Sequence, residues 1–391
     1  MIEFSASKAI ERLPSQFFAK QEKAVLERKN LGRDIINFSQ GSPDTKTPEH
    51  IVESLKEAAE DPNMHRYSPF QGFRFYKEAV CEFYEREYGV TLDPDEEVCV
   101  LFGGKGGLVE VSQCLLDDGD VALVPDPGYP DYWSGVALQN ALMHPMPLQE
   151  EHQFLPNYND LTKETLEKAK VMFLNYPNNP TGAVCDASFF DETVQLAKDN
   201  NICVVHDFAY GAFSFTDQKH PSFLQSEGAK DVGIEIYTLS KTYNMAGWRI
   251  GFAVGNRSVI KMLNVLQDHL YVSLFGAVQK AAATALTSSQ DEVKRLREMY
   301  LKRRDVLMEE AKNIGWEGTA PDGSFFLAWF PVPNGMSSQQ FADQVLLEAD
   351  VCVAPGNGFG TYGEGYVRLG LVHDEETIRK GMQRIGSLNL F

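Results

Sequence analysis

Between about residue 50 and residue 285 the chain alternates short apolar runs with amphipathic ones. VCVLFGG (98–104), VALVPDPGYP (121–130), KVMFLNYPNNPTG (170–182), ICVVHDFAY (202–210) and GIEIYTLSK (233–241) each open on an apolar, β-branched stretch and close on turn or polar residues. Helical patterns lie between them, as in DASFFDETVQLAKDNN, and NFSQGSPD leads through a loop into a helix beginning near Pro48. Strands that are apolar throughout, separated by helices, predict a mostly parallel sheet covered on both faces. In such sheets ligands bind outside the carboxyl ends of the strands.

After residue 285 the pattern changes. SSQDEVKRLREMYLKRRDVLMEEAKNIG predicts one long helix with Val293, Leu296, Tyr300, Leu307 and Ala311 on one face, a capping box from Ser289 and Glu292, and a stop at Gly315. SFFLAWFPV, VCVAP and YVRLGLV read as strands, SSQQFADQVLLEAD and the C-terminal segment as helices. The expected organisation is therefore α/β: a large domain over 49–285, a smaller α+β domain over 286–391, and residues 1–48 joining the small domain.

Composition narrows the function. The 391 residues are 43% hydrophobic and carry a net charge of −19, enough apolar text for a large core and a field that repels nucleic acid and anionic membrane. The six cysteines show no C-x-x-C spacing, and several sit inside apolar runs. That pattern indicates a reducing, cytoplasmic setting without a disulfide framework. The N-terminus lacks a signal-peptide core, no apolar stretch reaches membrane-spanning length, and eight dispersed histidines argue for no metal site.

The predicted strand ends carry chemistry. Gly103-Gly104-Lys105-Gly106-Gly107 precedes a helical run, and backbone amides at such a turn cradle anions, although the same glycines also make an ordinary turn. His206 reads as packing. Taken singly, Asp207 reads as a salt-bridge partner or helix cap and the run holding Asn179 as a tight turn, whereas Lys241 at the end of a buried strand is odd, because burying an ammonium costs several kcal/mol; Tyr210, Ser240 and Arg249 accompany them. Together, at one mouth, they suit a phosphorylated aromatic aldehyde. Lysine forms an imine with it, a carboxylate holds the pyridine proton, amide and phenol donors hold the ring oxygen, and arginine with the helix N-terminus holds the phosphate.

NNPTG, DFAY and SKTYNMAGWR resemble the fold-type I pyridoxal-phosphate aminotransferases of the aspartate aminotransferase superfamily, and the likeness runs from FSQGSPD near residue 40 to GEGYVRLG near 370. The resemblance implies a seven-stranded, mostly parallel sheet sandwiched by helices, and pyridoxal 5′-phosphate as cofactor. It makes Lys241 the lysine bonded to the cofactor. Asp207 becomes the pyridine-nitrogen partner, and Tyr210 and Asn179 the donors to the ring oxygen. Gly104, Lys105, Thr238, Ser240 and Arg249 become the phosphate site, and Tyr129 the ring stacked on the cofactor. Gly41 and Arg368, with Tyr129 and Asn179, would hold the substrate. Tyr67 would reach the phosphate of a second subunit, so that a homodimer shares its sites. The bonds before Pro127 and Pro180 would be cis.

Among these enzymes the segments LFGGKGGLVE, VPDPGYPDYWSGVAL and IYTLSKTYNMAGWRIGFAVGN resemble most the bacterial methionine-salvage transaminases, which aminate 2-oxo-4-methylthiobutanoate. LL-diaminopimelate, aspartate and aromatic aminotransferases are neighbouring readings. A carbon–sulfur β-lyase shares the fold but would release pyruvate and ammonia without an acceptor. A non-catalytic sensor ranks below both, since the catalytic set is whole and no DNA-binding segment is attached. GNGFGTYGEG (356–365) imitates a dinucleotide fingerprint but runs into a strand rather than a helix.

Overall fold

The chain enters its fold through a two-residue strand, β1 (Ile36–Asn37), and then lays down β2 (Val98–Leu101), β3 (Val121–Asp126), β4 (Leu142–Pro147), β5 (Ala169–Leu174), β6 (Cys203–Asp207), β7 (Gly233–Thr238) and β8 (Gly251–Gly255). This computed structural model describes residues 1–15, 17–216, 218–323 and 327–391. Strands β2 to β8 form one sheet in the order β2-β8-β7-β6-β5-β3-β4. Neighbours are parallel except β8, which runs antiparallel to both β2 and β7.

Alternation along β2 explains the two cores. Val98 and Val100 face an aromatic layer with Tyr76, Phe83, Tyr84, Tyr237 and Phe252. Cys99 and Leu101 face the opposite layer with Leu108, Val111, Ile260 and Leu263. Helices Arg74–Tyr88 and Gly276–Thr287 supply the first layer, and Gly104–Leu115 and Arg257–Leu270 the second. With apolar groups wanted on both faces, these strands show no polar alternation.

Two strands of the sheet were not visible as apolar runs. β4, LMHPMP, is the edge, with Leu142 and Met143 exposed; its two prolines are tolerated there because an edge strand leaves backbone groups unpaired. β8, GFAVG, is short and bounded by glycine.

The C-terminal part builds on β9 (Leu327–Pro331), β10 (Val351–Cys352), β11 (Ala354–Pro355) and β12 (Tyr366–Gly370). An antiparallel sheet β11-β12-β9 packs, through Phe330, Phe341, Leu369 and Ile378, under helices Asp291–Asn313, Ser338–Ala349 and Glu375–Gly386. β1 pairs in parallel with β10. Asp350 takes Arg28 and Arg33, and Asp34 takes Lys380 and Arg384, which fastens the N-terminal segment to this part.

Several local expectations need correction. The long helix starts at Asp291 with Gln290 at its N-cap, and there is no capping box: Ser289 Oγ donates to the Asp291 carboxylate and Glu292 pairs with Arg295, so neither is free for it. Tyr300, Leu307 and Ala311 are buried as expected, Val293 and Leu296 pack at the margin, and Gly315 follows the helix end with φ +81°. VCVAP divides into β10 and β11, and the first three residues of the SFFLAWFPV strand, 324–326, lie outside the described residues. The bonds before Pro127 and Pro180 are cis, and so is the one before Pro177, which was not anticipated.

Candidate active site

Strand ends β2, β5, β6 and β7 open into one cavity of about 800 Å3, roofed by residues 39–44 and by Arg368 of β12. Twelve residues singled out from the sequence line it: Gly41, Gly104, Lys105, Tyr129, Asn179, Asp207, Tyr210, Thr238, Ser240, Lys241, Arg249 and Arg368. Tyr67 does not; it is 91% exposed.

β7 delivers Lys241 on the short helical turn Leu239–Thr242 that Thr238 caps. Thr238 Oγ1 accepts from the Ser240 amide at 3.2 Å and donates to Ser240 Oγ at 2.9 Å. The Lys241 ammonium donates to the carbonyl of Gly41 at 2.7 Å. Its side chain keeps some exposure to the cavity, yet protein surrounds it closely enough that burial pulls its pKa down to about 8. The nearby Arg368 and Arg249 charges act in the same direction, against Asp207.

β6 ends in Asp207, which is buried. Burial pushes its carboxyl up to about 6, and the Tyr132 hydroxyl, donating to Oδ2 at 3.0 Å, pulls the other way. Asn175, just past β5, fixes two neighbours at once. Its side-chain amide donates to the Asp207 carbonyl at 2.7 Å, and its side-chain oxygen accepts the Asn179 amide at 2.7 Å. The preceding His206 is fully buried, as the packing reading expects. Its Nδ1 is 2.7 Å from the Glu235 carboxylate.

Arg368 is buried between ring faces, its guanidinium carbon 4.7 Å from the Phe359 centroid and 5.2 Å from that of Phe18. It donates to Asn179 Oδ1 at 2.8 Å and to the Ser39 carbonyl at 2.7 Å. Its Nε is buried without a partner among the described residues. Burial lowers the guanidinium to about 10.

At the cradle, Gly103 precedes helix Gly104–Leu115 with φ +81° and no side chain caps the first-turn amides. That backbone conformation favours glycine, and a Cβ on Gly103 would also crowd the Arg249 guanidinium, 2.5 Å from one of its nitrogens. Arg249, itself left-handed at φ +56°, donates to the Ala246 carbonyl at 2.7 Å. Lys105 offers this site its backbone; its ammonium pairs with Asp131 at 2.9 Å.

The donor set fits the implied cofactor. First-turn amides, two hydroxyls and Arg249 suit a phosphate; Asp207 suits a ring nitrogen, Asn179 and Tyr210 an anionic oxygen, Lys241 an aldehyde. The unpartnered Nε of a buried Arg368 suits a carboxylate.

Sequence reasoning missed Tyr132, Asn175, Phe18 and Phe359. Tyr132 and Asn175 stood inside quoted motifs, DPGYPDYW and the run before YPNNPTG, without a role. The glycine-rich decoy also acquires one: Asp126 accepts the amides of Thr361 and Tyr362 at 3.0 and 2.9 Å. The folded loop places Phe359 against Arg368. Among the described residues no cluster of metal-ligating side chains occurs, and no helix is long and apolar enough to cross a membrane.

Residues 33–385 match the family described as aminotransferase class I and II. The chain is 58% identical to the L-glutamine–4-(methylsulfanyl)-2-oxobutanoate aminotransferase of Bacillus subtilis (strain 168), over 100% of this chain and 98% of that one. It is 44% identical to an LL-diaminopimelate aminotransferase of Dehalococcoides mccartyi (strain ATCC BAA-2266 / KCTC 15142 / 195), over 97% and 98%. Among solved structures, substrate-bound BacF from Bacillus subtilis superimposes with a TM-score of 0.95 at 47% identity, covering 100% of this chain and 98% of that one.

Proposed function

The chain belongs to the class I and II aminotransferases, whose members use pyridoxal 5′-phosphate, and from that premise we propose that it moves the amino group of glutamine to 4-methylsulfanyl-2-oxobutanoate, forming methionine. The 58% identical relative is named for that donor and acceptor. One observation carries the choice of a neutral side chain: of the four cations this chain lends the cavity, Lys105 is already paired, and on this reading the other three have roles in the reaction. Lys105 pairs with Asp131, Lys241 and Arg249 serve the cofactor, and Arg368 serves the α-carboxylate that every amino acid carries. A second carboxylate, as on aspartate, would enter without a partner, at a cost of several kcal/mol if fully desolvated.

When bound, the cofactor supplies an aldehyde carbon that takes up the amino group and a pyridinium that withdraws electrons. The chain does the rest. Arg368, steered by Asn179 and Ser39, holds the substrate α-carboxylate and so aims its α-carbon. Asp207, steadied by Tyr132, keeps a proton on the ring nitrogen. Lys241, a free amine above about pH 8, takes the proton from the substrate α-carbon as general base. The Gly41 carbonyl, 2.7 Å from its nitrogen, holds it over the cavity floor.

Two further points belong to this reading. Residues 1–48 and 286–391 act as one small domain against 49–285, and two copies share their sites through Tyr67. Six free thiols suit a reducing, cytoplasmic setting. The test is a panel of oxo acids against glutamine, glutamate, aspartate and methionine. Methionine is expected to exceed aspartate in kcat/KM; the reverse order overturns the substrate reading, and acceptor-independent release of pyruvate would indicate a lyase.

A further inference from the structure

Helix Phe17–Asn30 presents Phe18 and Glu22, four residues apart, to the same cavity. Residues so spaced share a helix face, about 6 Å apart along the axis. Phe18 lies against Arg368, the guanidinium carbon 5.2 Å from its ring centroid, and Glu22, one turn further along the helix, lines the same cavity as that arginine.

The other acids that line the cavity are held. Asp207 accepts from Tyr132, and Asp44 is paired with both terminal nitrogens of Arg303 at 2.8 Å. Glu22 is exposed at the mouth and makes neither an ion pair nor a hydrogen bond among the described residues. Of the three acids lining the cavity, Glu22 is thus the one with no side-chain partner among the described residues.

We propose that Glu22 determines donor choice, favouring a side chain ending in a carboxamide over the isosteric one ending in a carboxylate. The inference rests on the aminotransferase reading above and adds the residue that separates glutamine from glutamate. The two differ by one charge at nearly constant shape. The amide N–H groups of glutamine can donate to Glu22, whereas the glutamate carboxylate meets a like charge. At a few ångströms beyond contact and at the high effective dielectric of an open mouth, such repulsion changes a rate ratio by roughly three- to tenfold.

The experiment measures the glutamate-to-glutamine ratio of kcat/KM in the holoenzyme and in Glu22→Gln, Glu22→Lys, Glu22→Asp and Glu27→Gln. Glu27 is an exposed acid of the same helix, 4.0 Å from Lys23, and controls for net charge. The ratio should rise about three- to tenfold in Glu22→Gln and further in Glu22→Lys, stay near the parent value in Glu22→Asp, and not move in Glu27→Gln. Equal ratios in Glu22→Gln and the parent, or an equal rise in Glu27→Gln, overturn the proposal. Displacement by glutarate against glutaramate, followed in the absorption of the bound cofactor, makes the same comparison without turnover. If neither glutamine nor methionine transfers its amino group, the substrate reading fails, and the binding comparison still decides the role of Glu22.

Discussion

The ammonium of Lys241 donates to the carbonyl oxygen of Gly41 at 2.7 Å, across 200 residues of sequence. The contact ties the strand end that supplies the amine to the loop that roofs the cavity. That loop is fastened on both sides. Asp44 pairs with Arg303 of the small C-terminal part, and the Thr47 hydroxyl donates to the carbonyl of Asn244, three residues past the lysine.

A lysine lowered to about pKa 8 is a free amine where exposed lysines are still ammonium. In the cofactor-free protein, reductive methylation of Lys241 should therefore rise steeply between about pH 7 and 9, while exposed lysines follow near their ordinary ~10.4. Peptide mapping reads this out. Borohydride reduction of the holoenzyme should fix the cofactor to Lys241, and attachment to another lysine would remove it from its role.

Asp207 is poised between two opposing effects, burial raising its carboxyl and the Tyr132 hydroxyl lowering it. A donor favours the charged form, so Tyr132→Phe should move the Asp207 titration upward from about 6. A hydrogen bond to a charged group is worth about 1.5–3 kcal/mol, one to two pKa units. Carboxyl NMR of the cofactor-free protein measures the shift. In the holoenzyme, Asp207→Asn should lower turnover by about 10² or more with the cofactor retained.

The Asp44–Arg303 pair makes a stability prediction. Burial alone would raise the Asp44 carboxyl, but Arg303, with smaller help from a backbone amide and the Tyr300 hydroxyl, leaves it below its usual value. The sign follows: the stabilisation is present above the unfolded carboxyl pKa and is lost as pH falls through the lower folded one. Asp44→Ala strands a buried guanidinium. A loss of about 2 kcal/mol is expected at neutral pH, less than the ~3–5 of a fully buried pair, and chemical denaturation should show the difference from the parent shrinking below pH 4.

These contacts mark what was and was not legible in the sequence. The strand ends were, because an apolar run stopping at Asp207 or at Ser240-Lys241 is a local pattern. The roles came from a resemblance of whole motifs. Edge strand β4 was not visible, since its prolines and exposed Leu142 and Met143 break the buried-strand pattern. Tyr132 on Asp207, Gly41 on Lys241 and Asp126 on the 361–362 amides join residues from 75 to 236 positions apart. No local periodicity encodes such pairs. The Ser289 cap failed for a different reason: several polar residues competed for one helix end, and side-chain pairing decided it.

Tyr67 tests the shared site. In the single chain it is 91% exposed and outside the cavity, an unusual setting for a tyrosine unless another surface covers it. If it serves the phosphate of a second subunit, Lys241→Ala disables the site in its own chain while Tyr67→Ala weakens the site in the other. Unfolding the two variants together, mixing and refolding yields mixed dimers. One site then carries both defects, and the other combines an intact Lys241 with an intact Tyr67. Activity should rise above that of either variant alone, toward one working site per mixed dimer. If mass spectrometry shows mixed dimers and activity does not rise, Tyr67 takes no part in a neighbour's site and each chain works with the residues of its own cavity.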